Sequence, residues 1–110
     1  MAPEDKAAVP LKRTEFLILA VLEDGPLHGY GLVQAIEQRT HGAVTIRPGD
    51  LYRVLHRLVQ RGLLEEAGRR RPRGSEERRT TYRSTRLGKS ALHQEAHLLS
   101  GVIATLEGPA

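Results

Sequence analysis

The stretch Arg47–Glu66, RPGDLYRVLHRLVQRGLLEE, restricts what this chain can fold into more than any other. Leu51, Val54, Leu55, Leu58 and Val59 recur in steps of three and four, the period at which side chains share one side of an α-helix. Tyr52, Arg53, His56, Arg57, Gln60 and Arg61 fall on the opposite side. Pro48 suits a first helical position, where its missing N–H needs no partner, and Asp50 meets the positive end of the helix dipole. Gly62 supplies the stop. The spacing therefore predicts an amphipathic helix whose outer face, beyond its first turn, carries three arginines and no acid.

The segment after that helix narrows the fold further. Leu63-Leu64-Glu65-Glu66-Ala67 reads as a first strand and Thr80–Thr85 as a second, joined by the glycine- and proline-containing tip GRRRPRGSEERR. Helix, strand, basic loop, strand is the order of a winged helix-turn-helix. The expected class is mainly α with a small β-wing. Residues 69–86 hold eight arginines against Glu76 and Glu77, so with a formal net charge of only +4 the rest of the chain is net acidic. Charge gathered on one short segment points to an anionic partner there, whereas a spread of the same charge would not.

Taken in order, residues 1–10 form a proline-flanked arm without periodicity, expected to be flexible. Residues 11–86 make the winged helix-turn-helix domain, 87–107 a C-terminal dimerisation helix and 108–110 a tail. Thr14 is the expected N-cap of a first helix through Leu22, whose run FLILAVL implies burial on most sides. A second helix spans about Gly29–Arg39 with Leu32, Val33 and Ile36 inward, and Val44-Thr45-Ile46, rich in β-branched residues, reads as a short strand pairing with the wing. The last helix begins at Thr85 or soon after and stops at Gly108-Pro109. Leu92, Leu99 and Leu106 repeat every seven residues, flanked by Ala91, Leu98, Val102 and Ile103, and a seam of that length on an added helix favours pairing with a second copy. Closing the domain's own core is the alternative use of the same seam.

Function follows from the outer face. Arginine and glutamine match base edges in a major groove, and tyrosine can reach a phosphate or stack, so Tyr52, Arg53, His56, Arg57 and Gln60 are candidate DNA-reading residues. Arg69, Arg70, Arg71, Arg73, Arg78 and Arg79 are candidate phosphate contacts on the wing. Against this stands the ordinary use of such segments as solvated charged surface. His93 and His97 lie one helical turn apart, but HQEAH lacks the adjacent glutamate of a zinc-protease helix and has no obvious third ligand, so no metal is expected. No nucleophile–base pair, phosphate loop or carboxylate dyad is present, so neither enzyme activity nor a cofactor is expected. The sequence contains no cysteine, its longest apolar run, Phe16–Leu22, is far too short to span a bilayer, and no signal-peptide pattern opens it. The expectation is a cytoplasmic protein without a membrane partner. Two function classes remain: a sequence-specific DNA-binding regulator, and a winged-helix module that binds protein or RNA without an operator.

Three stretches in order resemble the PadR-like transcriptional regulators, specifically the short form with one C-terminal helix. These are HGY at His28–Tyr30, PGDLYRVLHRL with RGLL close behind it, and TYRSTRLGKSAL, within a resemblance covering about residues 11–107. The resemblance implies homodimeric repressors that bind double-stranded DNA at inverted-repeat operators and are released by a small-molecule effector or another signal. Carried over by position, it makes Tyr52, Arg53 and Arg57 DNA-reading residues and the arginines from 69 to 79 wing contacts. Leu92, Leu98, Leu99, Val102, Ile103 and Leu106 become the dimerisation seam. Thr81, Ser84 and Arg86-Leu87 depart from the family's Tyr-Tyr-Arg-Leu-Thr-like strand end and the acidic residues after it, which makes this wing more basic. The chain has no tryptophan, so the indole sandwich with which some relatives hold flat ligands has no counterpart here.

Overall fold

The computed structural model describes residues 10–70 and 79–108, with the side chains of residues 69, 70 and 79 outside that description. Most of the arm (1–9), the wing-tip candidates Arg71, Arg73 and Arg78, and the last two residues of the tail therefore lie outside the described residues. Among the described residues, four α-helices and a three-stranded antiparallel sheet run in the order α1 (Arg13–Val21), a 3-10 turn (Leu22–Asp24), β1 (Leu27–His28), α2 (Gly29–Arg39), α3 (Pro48–Gln60), β2 (Leu64–Arg70), β3 (Arg79–Ser84) and α4 (Arg86–Glu107). The mainly helical winged fold expected from the sequence is what forms.

One apolar core joins these elements. Ile18, Leu19, Leu32, Ile36, Leu51, Leu55, Leu58, Leu63 and Leu64 are fully buried in it, and Val54, Val59 and Val33 pack at its edge. The stripe on α3 is thus the face laid on α1 and α2, as its period requires. At the far end of α3, Gly62 takes a left-handed φ of 78°, which lets the Leu63 N–H turn back to the Leu58 carbonyl at 2.9 Å and closes the helix. Leu63 and Leu64 then drop into the core and lead directly into β2.

Two local expectations are corrected. The first helix is entered from Lys12, not Thr14: the Lys12 backbone N–H donates to Glu15 Oε1 at 2.9 Å, the carboxylate half of a capping box. The third strand is Leu27–His28, not Val44–Ile46; Leu27 stands opposite Tyr82 and His28 opposite Thr81, giving the sheet order β1-β3-β2. Residues 43–46 are held back against the end of α2 instead. The Ala43 N–H bonds to the Thr40 carbonyl, the Val44 N–H to Thr40 Oγ1, and Thr45 Oγ1 donates to Glu37 Oε2 at 3.1 Å. With the Ala43 and Val44 N–H groups bonded to Thr40 and Ile46 buried, the segment lies along the α2–α3 connection and pairs with no strand of the sheet.

The wing hairpin pairs Leu64 with Ser84, Glu65 with Arg83 and Glu66 with Tyr82, then shifts register so that Gly68 meets Thr81 and Ala67 bulges. Tyr82 is buried, which pins the hairpin to the core. α4 starts at Thr85, whose hydroxyl accepts from the Gly88 N–H at 3.0 Å and donates to the Gly62 carbonyl at 2.6 Å. Ala91 and Leu92 enter the core, so the root of α4 belongs to the domain, and the winged unit is not complete without it. Leu92, the first residue of the seven-residue repeat, is thus buried within its own domain. Residues 97–108 are exposed on every side.

Candidate nucleic-acid interface

The outer face of α3 is presented to solvent as its period predicts: Tyr52, Arg53, His56, Arg57 and Gln60 are all exposed. The five are not equivalent. Arg53 Nη2 lies 2.9 Å from Asp50 Oδ1 one turn earlier, an exposed pair that stabilises the helix little. Tyr52 leans towards the neighbouring helix, and its hydroxyl rests over Gly29 where a Cβ would otherwise sit. Its ring thus bridges α3 and the start of α2, leaving about half of the side chain to solvent. Arg57 has no ion-pair partner among the described residues and projects from the middle of the exposed face.

Arg61 behaves differently from the residues it accompanies in the sequence. Its Nη1 turns inward to Glu15 Oε2 at 3.1 Å, so the last arginine of the outer face is tied to α1. Nothing in the helical period separates Arg61 from Arg57, because the partner lies forty-six residues earlier in the chain.

The entrance to α2 adds side chains that sequence reasoning did not assign to the surface used. His28 caps the helix, its Nδ1 accepting from the Gly31 N–H at 3.0 Å. Tyr30 is exposed, with its ring stacked on His28 at a centroid distance of 6.4 Å and 8° between planes. Its position off the Leu32–Val33–Ile36 stripe was the available signal. Arg47, the residue before Pro48, is a further exposed cation at the entry of α3. His28, Tyr30 and Tyr52 thus gather where α2 begins and α3 passes over it.

On the wing, the backbones of Arg69, Arg70 and Arg79 lie within the hairpin, with Arg69 opposite Thr80 and Arg70 opposite Arg79. Arg83 contributes less free charge than its place in the basic segment suggests, since its Nε donates to Glu65 Oε1 directly across the ladder at 2.8 Å. On α4, His93 Nε2 lies 2.7 Å from Glu23 Oε1. Among the described residues no group of three metal-ligating side chains comes together. No helix among them is long and apolar enough to cross a membrane.

The remaining exposed feature is aliphatic. Leu98, Leu99, Val102, Ile103 and Leu106 are all exposed on the free half of α4. Five large apolar side chains on one projecting helix are more than isolated surface residues need.

Known proteins share this arrangement. A transcriptional regulator from Clostridium thermocellum superimposes with a TM-score of 0.72 at 22% identity, covering 97% of this chain and 95% of that one. Bacillus subtilis PadR in complex with operator DNA superimposes with a TM-score of 0.69 at 18% identity, covering 86% of this chain and 59% of that chain. At those identities the likeness is one of fold. A 37.1 kDa protein of transposon TN4556 from Streptomyces fradiae is 39% identical over 89 residues, 78% of this chain, which spans only 23% of that protein's length. The model of the transcriptional regulator PadR-like family matches residues 18–94, from the first helix through the wing and into the root of α4. With that match across most of its length, on the fold just described, the chain belongs to the PadR-like family of transcriptional regulators.

Proposed function

We propose that this regulator is a homodimeric repressor that binds an inverted-repeat operator in double-stranded DNA and is released by a small molecule or another signal. The observation that carries it is the exposed face of α3, where Arg57 and Gln60 stand ready for base edges beside Arg53 and Tyr52, next to a hairpin whose tip is rich in arginine. The Bacillus subtilis neighbour was determined with operator DNA, which supports duplex DNA as the ligand class here.

The exposed aliphatic half of α4 supports a second copy as the other partner. At the point where that face leaves the core, Glu95 is buried and its Oε1 has no hydrogen-bond partner among the described residues. A buried unpaired carboxylate oxygen is costly, and a donor from a second chain would remove the cost. Two-fold pairing would bring two α3 helices to successive major grooves about 34–36 Å apart, hence an inverted repeat. Release by a ligand requires different affinities for the two arrangements of the reading heads. In a chain without tryptophan, such a ligand would be held by aliphatic contacts near α4 and not between indoles.

Selection from random duplex DNA followed by mobility shifts at several salt concentrations tests the proposal. Arg57→Ala should cost about 1–3 kcal/mol on the selected site and relax preference at one base position, whereas Arg71→Ala should weaken all duplexes alike and flatten the salt slope by about one unit. Recovery of no preferred sequence, with binding to RNA or protein instead, would replace the operator by the interaction-module function.

A further inference from the structure

Arg61 and Glu15 form a pair whose placement the chemistry of DNA contact does not explain. The Glu15 side chain is only 4% exposed, and its two oxygens have separate duties: Oε1 accepts from the Lys12 N–H at the start of α1, and Oε2 from Arg61 Nη1 at the end of α3. Arg61 is the C-cap residue of α3. The two residues after it are clamped from the other side, since Thr85 Oγ1 donates to the Gly62 carbonyl at 2.6 Å and the Thr85 N–H to the Leu63 carbonyl at 3.1 Å. Thr85 is in turn the N-cap of α4. The end of α3 is therefore held between α1, through one ion pair to the buried Glu15, and α4, through one capping threonine.

We propose that the Glu15–Arg61 pair sets the pitch of α3 relative to α1 and the root of α4, making Arg61 a positioning residue for the DNA-reading face and not a DNA contact. The inference rests on the dimeric DNA-binding function proposed above. An exposed apolar contact could slide along α3, but a guanidinium bonded to a carboxylate that is itself fixed by a backbone N–H has one geometry. In a dimer joined through α4, that geometry determines how far apart the two α3 helices stand and at what angle each enters its groove. A shift of pitch would leave non-specific attraction to phosphates intact, because that depends on charge, and would degrade the fit to two half-sites at once.

The test uses the full chain and duplexes carrying the selected inverted repeat, its half-site spacer lengthened or shortened by single base pairs, and a random duplex. Glu15→Gln retains an oxygen for the Lys12 N–H, so α1 stays capped while the ion pair is lost; Arg61→Ala removes the other partner and Arg61→Lys keeps the charge. Circular dichroism and thermal melting establish that each variant is folded. Glu15→Gln and Arg61→Ala should each lower operator affinity about tenfold, the double variant no further, and each should flatten the dependence on spacer length, as a coupling carried by one joint requires. Affinity for random duplex should stay within about twofold for Glu15→Gln, with an unchanged salt slope, and Arg61→Lys should recover part of the spacer preference.

Loss of affinity for all duplexes in Arg61→Ala with a reduced salt slope, while Glu15→Gln behaves as wild type, would overturn the proposal and make Arg61 a phosphate contact. Unchanged operator affinity and spacer preference in both variants would overturn it equally. A wild-type protein that selects no sequence would instead overturn the operator-binding function itself, and the joint's role with it.

Discussion

The two halves of α4 share one seven-residue repeat but not one environment. Leu92 is 5% exposed, Leu99 37% and Leu106 80%. The root, with Gly88, Ala91, Leu92 and Glu95 buried, is packed into the core with α1, while from residue 97 onward every described residue is exposed. Length explains the break. α1 has nine residues and α4 twenty-two, so the first reaches about 14 Å and the second about 33 Å, and half of α4 outruns the surface it could lie on. A repeat that is uniform in sequence thus serves two purposes, the first half closing a domain and the second offering an aliphatic face.

That division can be broken or sharpened by substitution. The largest effect on the fold belongs to the root: Leu92→Ala should destabilise the domain by about 2–5 kcal/mol, read as a lower midpoint in urea unfolding. A cost as small as that of a surface change would show that the root is not part of the core. Next comes the start of the free half, where Leu99→Glu should leave the helical circular dichroism signal intact yet convert the sedimenting species from dimer to monomer, since it sets a charge into each side of the proposed seam. A Leu99→Glu protein that remained dimeric would place the second copy elsewhere.

The boundary of the root carries a smaller term. Thr85→Ala removes the hydroxyl that accepts from the Gly88 N–H and holds the Gly62 carbonyl, and should cost about 0.5–2 kcal/mol in the same unfolding measurement. The least effect is expected at the tip. In the monomeric Leu99→Glu background, Leu106→Ser should change unfolding by less than about 0.5 kcal/mol, because the monomer leaves Leu106 in water. A large cost there would mean that the free half docks on its own domain.

Much of the fold was legible because it rests on local rules. The period of Leu51–Val59, Pro48 at the first turn and Gly62 at the stop determine α3, and an outer face of Arg53, His56, Arg57 and Gln60 follows from the same period without any tertiary information. His28 as the cap of α2 and Thr85 ahead of α4 are likewise short-range features. The misplaced elements are those in which a distant partner outvoted local preference. Val44–Ile46 has the composition of a strand, yet its Val44 N–H is taken by Thr40 and its Thr45 hydroxyl by Glu37, and Leu27–His28, which has no strand pattern at all, pairs with Tyr82 and Thr81 instead.

The candidate site divides in the same way. By itself the sequence determined which residues lie on the outer face of α3, that arginine is concentrated between residues 69 and 86, and that the last helix carries an apolar seam, because periodicity and charge are properties of neighbours along the chain. Only the tertiary structure decided that Arg61 leaves that face for Glu15, that Arg83 is answered by Glu65, that Tyr52 leans on Gly29 and that Leu92 is buried while Leu99 is not. Each of those outcomes depends on which element arrives opposite the side chain, and a helical period records the direction a residue faces but not what the folded chain brings there.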